Sequence, residues 1–353
     1  MNRVEALPAR MFALAGAILC CLAFAIALFS PAAALTGWLA AFAFASSLPL
    51  GALCLAMMMR IIPGGWREEL GSTVEASMLL LPLAFAASLP VLIGQSWIYE
   101  WARGASLQGA KAIYLTPAFF SLRSLVILTG ACLLGWRLLV QADRSIALAA
   151  VGLIVFVVAH GLLSVDWLMS LDTEFHSSGF GLYILSGQTL AALSMLILLR
   201  LAAGGRSRTG LLGALLMTAI LFWAYLAFMQ YFIIWSGNLT QGVVWFQERG
   251  KGPWAFVEQL MMVFHLLPLF LLFFPPIRSS RAWLITLSTA VLVGKSLEYA
   301  WLTLPTLTGD VALGVFAYLV SLLGLALLGL AVVSQAPMLL AKLQSRHPME
   351  ATR

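Results

Sequence analysis

Long apolar runs alternate with short polar breaks along this chain, and ten of the runs are long enough to cross a bilayer as helices. They cover roughly residues 11–30, 34–59, 73–94, 117–139, 145–165, 178–200, 209–236, 254–275, 282–303 and 310–334. A hydrocarbon core about 30 Å thick needs about 20 apolar residues per helix. Backbone groups in lipid must be satisfied internally, so continuous apolar runs predict helices. A membrane barrel would alternate residue by residue instead. The runs stop at breaks such as Pro31, Pro63-Gly64-Gly65 and Pro275-Pro276, where Gly and Pro interrupt regular structure. The first run follows Arg3 and Arg10 and reads as a retained helix rather than a cleaved signal. The expected fold is an all-α polytopic membrane protein, one integral membrane domain over residues 1–353 with about ten transmembrane helices.

Composition strengthens this picture. The chain is 62% hydrophobic and 10% charged, which excludes an ordinary soluble domain. Fourteen of its 20 Lys and Arg fall on one side of the ten-span pattern, among them Arg60, Arg67, Arg137, Arg144, Arg200, Arg208, Arg278, Arg346 and Arg353. Arg103, Lys111, Arg249 and Lys251 fall on the other. Basic residues collect in cytoplasmic loops, so both termini are expected in the cytoplasm. The net charge of +6 therefore reports orientation, and no nucleic-acid partner is implied. Cys20, Cys21, Cys54 and Cys132 lie inside predicted spans, with neither metal-site spacing nor a haem-attachment motif, and read as small buried hydrophobes. On the outer side, residues 95–116 form the longest loop. Its Trp97, Tyr99, Trp101 and Tyr114 suit a headgroup-level belt or a docking surface.

Ionisable groups inside spans are costly and face the bundle interior. Here they are Glu75, Arg123, His160, Glu258, His265, Lys295 and Glu298, with Asp166, Asp172, Glu174 and His176 at the outer edge. Glu258 and His265 are seven residues apart and share a helix face. A carboxyl and an imidazole so placed can pass a proton, or can hold two helices together. Lys295 and Glu298 are close enough on one helix to pair. Arg123 either snorkels outward or meets a carboxylate such as Asp166 or Glu258. The histidines are His160, His176, His265 and the tail residue His347, too few within spans for two bis-histidine haems. No metal site is expected.

Residues 222–239, FWAYLAFMQYFIIWSGNL, could mostly sit in lipid yet carry a polar stripe. On a helix Trp223, Ala227, Gln230, Ile234 and Asn238 fall near one line. This predicts a bundle-facing helix that ends at a polar outer site, with Gln230, Asn238 and Trp223 as candidates to order waters or a quinone headgroup. Asn238 follows Gly237 and is placed at the end of the span.

Three segments then carry a resemblance: KAIYLTPAFFSLR (111–123), SVDWLMSLDTEFHSSGFGLYILSGQ (164–188) and FWAYLAFMQYFIIWSGNL (222–239). With PGGWREELGSTVEASMLLLPLAF (63–85) they resemble, over about residues 35 to 305, the ActF-type membrane subunits of alternative complex III. These belong to the NrfD/polysulfide-reductase membrane-subunit superfamily. The resemblance implies two four-helix bundles plus peripheral helices, no redox centre bound by this chain, and a role in conducting protons or binding a quinone or quinol. It implies a complex in the bacterial inner membrane that oxidises quinol on the outer side. Electrons there pass through partner iron–sulfur and haem c subunits to cytochrome c or a terminal oxidase. The chain departs from the family where Asn238-Leu239 is followed by Thr240-Gln241 rather than Pro-Glu-Glu, where Asp172 to His176 replaces Glu-Pro-His-Trp-Tyr, and where Arg60-Ile61-Ile62 replaces histidines.

A proton path built on these readings uses Asp166 and Asp172 at the outer face and Glu258 and His265 within the membrane. Arg123 holds a carboxylate ionised, and Lys295 and Glu298 lie on the next helix. Two other functions compete: a scaffold or assembly subunit whose buried polar groups only lock helices, and a secondary transporter. The transporter predicts paired broken helices in corresponding halves, which the sequence lacks.

Overall fold

The computed structural model describes residues 3–104, 107–140 and 145–345, with side chains from Pro8 onward except Gln344. Arg144, Arg346, Arg353 and His347 lie outside the described residues. Among the described residues every element is a helix. In chain order the helices are α1 (Arg3–Ala25), α2 (Pro31–Ala45), α3 (Ser47–Ile61), α4 (Gly65–Met78), α5 (Leu81–Ile93), α6 (Gln95–Ile98), α7 (Ala110–Tyr114), α8 (Pro117–Val140) and α9 (Ile146–Trp167). They continue as α10 (Phe180–Ala202), α11 (Thr209–Ser236), α12 (Thr240–Arg249), α13 (Gly252–Leu272), α14 (Pro275–Arg278), α15 (Arg281–Thr303), α16 (Val311–Val333) and α17 (Ala336–Ser345).

Eight helical stretches are long and apolar enough to cross a membrane, α2 and α3 counting as one, and the bent pair α4–α5 adds a ninth. The 23-residue α15 is not among them. It carries Lys295 and Glu298, and the interest of the molecule centres on it.

Two expected spans differ in detail. The run at 34–59 is broken at Ser46 between α2 and α3. Pro49 follows, and it cannot donate the hydrogen bond that the Ala45 carbonyl would otherwise receive. The run at 73–94 begins earlier, at Gly65, and bends by 44° between α4 and α5. Pro82 withholds its hydrogen bond from Met78 in the same way. Glu75, expected to face the interior, is exposed on α4. That helix lies at the arginine-rich end of the bundle, where Glu69 meets Arg200 at 3.2 Å and Glu68 meets Arg208 at 2.8 Å.

Helix α10 is the hub, packing on α3, α4, α9, α11 and α15, while α13 lies along α15 and α16 lies along α1 and α2. Outward faces carry Leu, Ile, Val and Phe, as in Leu14, Ile18, Val151, Ile154, Phe270 and Leu323. Such a surface suits lipid.

The loop at 95–116 corrects an expectation. Trp97 is exposed, but Tyr99 and Trp101 are core residues. The Tyr99 hydroxyl donates to the Trp167 carbonyl at 3.1 Å, and Trp101 Nε1 donates to Ser170 Oγ at 3.3 Å. Their polar ends find protein partners, so the rings sink inward instead of standing at the headgroup level.

Candidate functional site

Five of the ionisable residues singled out in the sequence form two separate clusters. The first joins α7, α8 and α9. Arg123 Nε and Nη2 donate to the two carboxylate oxygens of Asp166 at 2.9 and 2.8 Å. Nη1 donates to the Tyr114 carbonyl at 3.0 Å. The guanidinium lies 3.8 Å from the Tyr114 ring centroid and 4.2 Å from that of Phe119. Of the two carboxylates offered to Arg123, the fold supplies Asp166. This is the fork-on-fork geometry in which Arg binds carboxylate most strongly. Asp166 is fully buried, because α9 ends with it turned inward beside Trp167. Asp172 instead caps a turn, its Oδ1 accepting from the backbone of Glu174 and Phe175 at 2.9 and 3.2 Å.

The second cluster joins α10, α11, α13 and α15 and centres on Glu298, which is 1% exposed. Oε2 receives the Lys295 ammonium one turn earlier on the same helix. Oε1 receives the Tyr183 hydroxyl from α10 and Trp223 Nε1 from α11, the latter at 3.1 Å. His265 from α13 points Nε2 at Oε2 from 3.9 Å. Trp223 stacks on the His265 ring with centroids 4.0 Å apart. Lys295 Nζ lies 5.1 Å from the Trp223 ring centroid. A charge pair this deep persists only when its remaining hydrogen-bonding positions are filled, and four helices converge to fill them. Two glycines clear the space. A Cβ at Gly294 would sit 2.7 Å from the His265 ring, and one at Gly187 would collide with the Lys295 ammonium.

In front of this cluster lies a cavity of about 290 Å³ between α11 and α13, closed at one end by α12. Tyr183, Trp223, Gln230, Glu258, Trp245 and Trp301 are part of its wall. Phe228, Tyr231, Met262 and Leu266 also line it and are exposed on the outward face of the bundle. The cavity therefore opens sideways, toward lipid. Glu258 is partly buried in its wall. Gln230 is buried, and its Oε1 accepts from Ser177 Oγ at 3.3 Å.

Of the candidate ligand-ordering residues, Trp223 and Gln230 line this cavity and Asn238 does not. Asn238 is exposed, with φ 47°, and turns the chain out of α11. The left-handed region is where Asn is tolerated better than most residues. Glu258 and His265 share a face as expected, but Trp223 and Met261 stand between the imidazole and the cavity, and His265 Nδ1 is engaged by the Met261 carbonyl at 2.7 Å. His160 belongs to neither cluster. Its Nε2 meets Gln188 Oε1 at 2.7 Å, and Ser164 Oγ approaches Nδ1 at 3.3 Å. Among the described residues no three His, Cys, Asp or Glu side chains converge as metal ligands.

Sequence reasoning missed Tyr183, the two glycines and Arg249. Tyr183 and Gly187 lie four residues apart in YILSGQ, a spacing that puts both on one face of α10. Arg249 looked like a loop cation. It is 3% exposed at the end of α12, stacked over Trp245 at 3.9 Å, and bonded to the carbonyls of Trp245 and Leu302 at 3.3 and 3.4 Å. Burial draws its guanidinium down to about 10. Nothing in the hydropathy of VVWFQERG marks that burial.

No protein-family model matches the chain, and a search of curated proteins returns no match.

Proposed function

We propose that this chain is a cofactor-free integral membrane subunit of a quinol:cytochrome c oxidoreductase of the alternative-complex-III type. On this reading it crosses the bacterial inner membrane ten times as two four-helix bundles with peripheral helices, both termini cytoplasmic. Its neighbours are other respiratory membrane subunits, iron–sulfur and haem c subunits on the outer face, and a terminal oxidase. The observation that supports it is the cavity between α11 and α13. The cavity opens toward lipid, is walled by aromatic rings, and presents one carboxyl group and one amide, Glu258 and Gln230. Quinol is a flat ring with two hydroxyl donors that travels within the bilayer. Aromatic walls favour stacking, a carboxylate can take a proton, and an amide can hold an oxygen.

The scaffold reading has one specific observation in its favour: Arg123 engages both carboxylate oxygens of Asp166 and the Tyr114 carbonyl. A pair so closed serves to hold α8 to α9. On the present reading Arg123–Asp166 is the lock and the Glu298 cluster is the working group.

The test is isolation of the tagged chain in mild detergent, followed by haem stain, mass spectrometry and a quinol-oxidation assay. Recovery with haem c and iron–sulfur subunits and quinol-dependent activity is the expected result. Recovery alone, or with a terminal oxidase and no iron–sulfur subunit, would sink the proposal in favour of an assembly role.

A further inference from the structure

His265 Nδ1 lies 2.7 Å from the Met261 carbonyl oxygen. A carbonyl can only accept, so Nδ1 carries the hydrogen. In the neutral ring Nε2 is then a bare acceptor. That atom is fully buried and has no hydrogen-bond partner among the described residues, a condition folded interiors avoid. What it faces is another acceptor, Glu298 Oε2, at 3.9 Å. One proton on Nε2 turns this idle contact into an N–H aimed at a carboxylate, needing an approach of about 1 Å to reach hydrogen-bond distance. Glu298 can receive it. Oε1 already has two donors, Tyr183 and Trp223, whereas Oε2 has only Lys295, and an ionised carboxyl offers about four acceptor positions.

We propose that Nε2 of His265 is a proton-loading site whose charge is balanced by the Glu298–Lys295 pair and which is reached from the aromatic cavity. The proposal rests on reading that cavity as the place where protons are released. The connecting atom is the Tyr183 hydroxyl, since Tyr183 both lines the cavity and donates to Glu298. The proton balance is closed. Tyr183 gives its proton to Glu298 Oε1 and regains one from an acid in the cavity, a hydronium ion or a quinol hydroxyl, whose conjugate base stays in the cavity. The Glu298 carboxyl group then turns so that its new O–H faces His265, and the O–H breaks as an N–H forms on Nε2. Lys295 keeps its proton, and one positive charge has moved inward. The ionisable groups around His265 are Lys295 and Glu298 from α15, Tyr183 from α10 through its bond to Glu298, and Glu258 two turns away on α13 itself. Helix α11 faces it with Trp223.

Toward the arginine-rich end the described residues offer no charged relay. From Lys295 back to Arg281 on α15 is fourteen residues, about 21 Å of helix, without an ionisable side chain. Neither α10 between Gln188 and Arg200 nor α11 from Thr209 to Gln230 carries a charged residue. The hydroxyls there are turned back on their own helices, as in Thr189 to Leu185 and Ser194 to Leu190 at 2.8 and 2.9 Å, or, like Ser288, lack a partner.

The experiment uses the full chain in lipid nanodiscs, without quinol or partners, with nitrogen-15 histidine read by solid-state NMR. His265→Gln assigns the signal among the four histidines. The expected ring carries hydrogen on Nδ1 and none on Nε2 when neutral. Lys295→Met removes the cation that shares Oε2 and should raise the proton affinity of His265 at least about tenfold, and Glu298→Gln should lower it by a similar factor. If either single variant fails to fold, Lys295→Met combined with Glu298→Gln leaves no lone charge and should restore an affinity near the starting one. Tyr183→Phe should slow proton exchange at His265 at least about tenfold, the general acid–base range being wider still, and leave the tautomer unchanged. A hydrogen on Nε2 in the neutral ring, an affinity indifferent to both charges, or exchange unaffected by Tyr183→Phe overturns the proposal. Loading of His265 in a chain that never joins a quinol-oxidising complex would overturn the proposed function and leave this inference standing.

Discussion

Arg123 on α8 grips both carboxylate oxygens of Asp166 on α9, at 2.9 and 2.8 Å, with the guanidinium 9% and the carboxylate 0% exposed. Removing one partner strands a buried charge, so Asp166→Asn should cost about 3–5 kcal/mol of stability. Arg123→Met combined with Asp166→Asn should recover much of that loss, because neither charge is then left alone. Thermal unfolding in detergent measures both. Equal loss in the single and double variants would show that the pair is not the fastening between these helices.

Gly294 and Gly130 make a controlled comparison. A methyl group at Gly294 meets the His265 ring at 2.7 Å, and at Gly130 it meets nothing within 4 Å. Gly294→Ala should cost about 1–3 kcal/mol through overpacking. Gly130→Ala should be neutral or stabilising by up to about 1 kcal/mol, the helix-propensity difference. The same unfolding assay reads the contrast, and matching effects at the two sites would deny the close approach.

Glu258 is partly buried in the cavity wall, so Glu258→Gln keeps shape and loses only the ionisable group. Turnover in the assembled complex should fall about a hundredfold, the low end of general acid–base effects, with the unfolding temperature and subunit composition unchanged. Loss of assembly instead would favour the scaffold role.

Arg249, outside the spans, carries a pH dependence of its own. Its guanidinium is held at about 10, below its ordinary value, by burial. The unfolded chain therefore keeps the proton at pH values where the folded chain releases it, and stability rises as pH climbs through 10 toward the ordinary value. Below pH 10 the cost of burial is present in full. Relative to Arg249→Met, the natural chain should gain stability between about pH 10 and 12, as followed by thermal unfolding. A constant difference across that range would contradict the burial of this charge.

Asn238 has φ 47° and ends α11. Asn238→Gly should be neutral, whereas Asn238→Val should cost about 1–2 kcal/mol for a left-handed β-branched residue. Quinol turnover per folded molecule should be the same in all three, since the side chain is outside the cavity.

Periodicity and run length made the helices legible, since a bilayer demands them. The bends at Ser46 and between Met78 and Leu81 were signalled by Pro49 and Pro82 but obscured by hydrophobicity that continues through both. The Lys295–Glu298 pair could be read from spacing on one helix. Its partners could not, because Tyr183, Trp223 and His265 come from three other helices and meet Glu298 only through packing. Asp166 and Glu258 looked equivalent as mates for Arg123. Only the way α9 turns at Trp167 distinguishes them. Tyr99 and Trp101 misled for a related reason. An amphipathic ring sits at an interface or in a core depending on whether protein or water meets its polar end.

The face-to-face stacking of Trp223 on His265, with centroids 4.0 Å apart, gives the molecule an optical property. An indole loses fluorescence when a cation comes to rest on its face. Trp223 is one of 12 tryptophans, and it lies directly against the ring proposed to gain and lose charge. Its emission should dim as that ring is charged and recover as it is discharged, so the chain reports its own protonation as light, without a label.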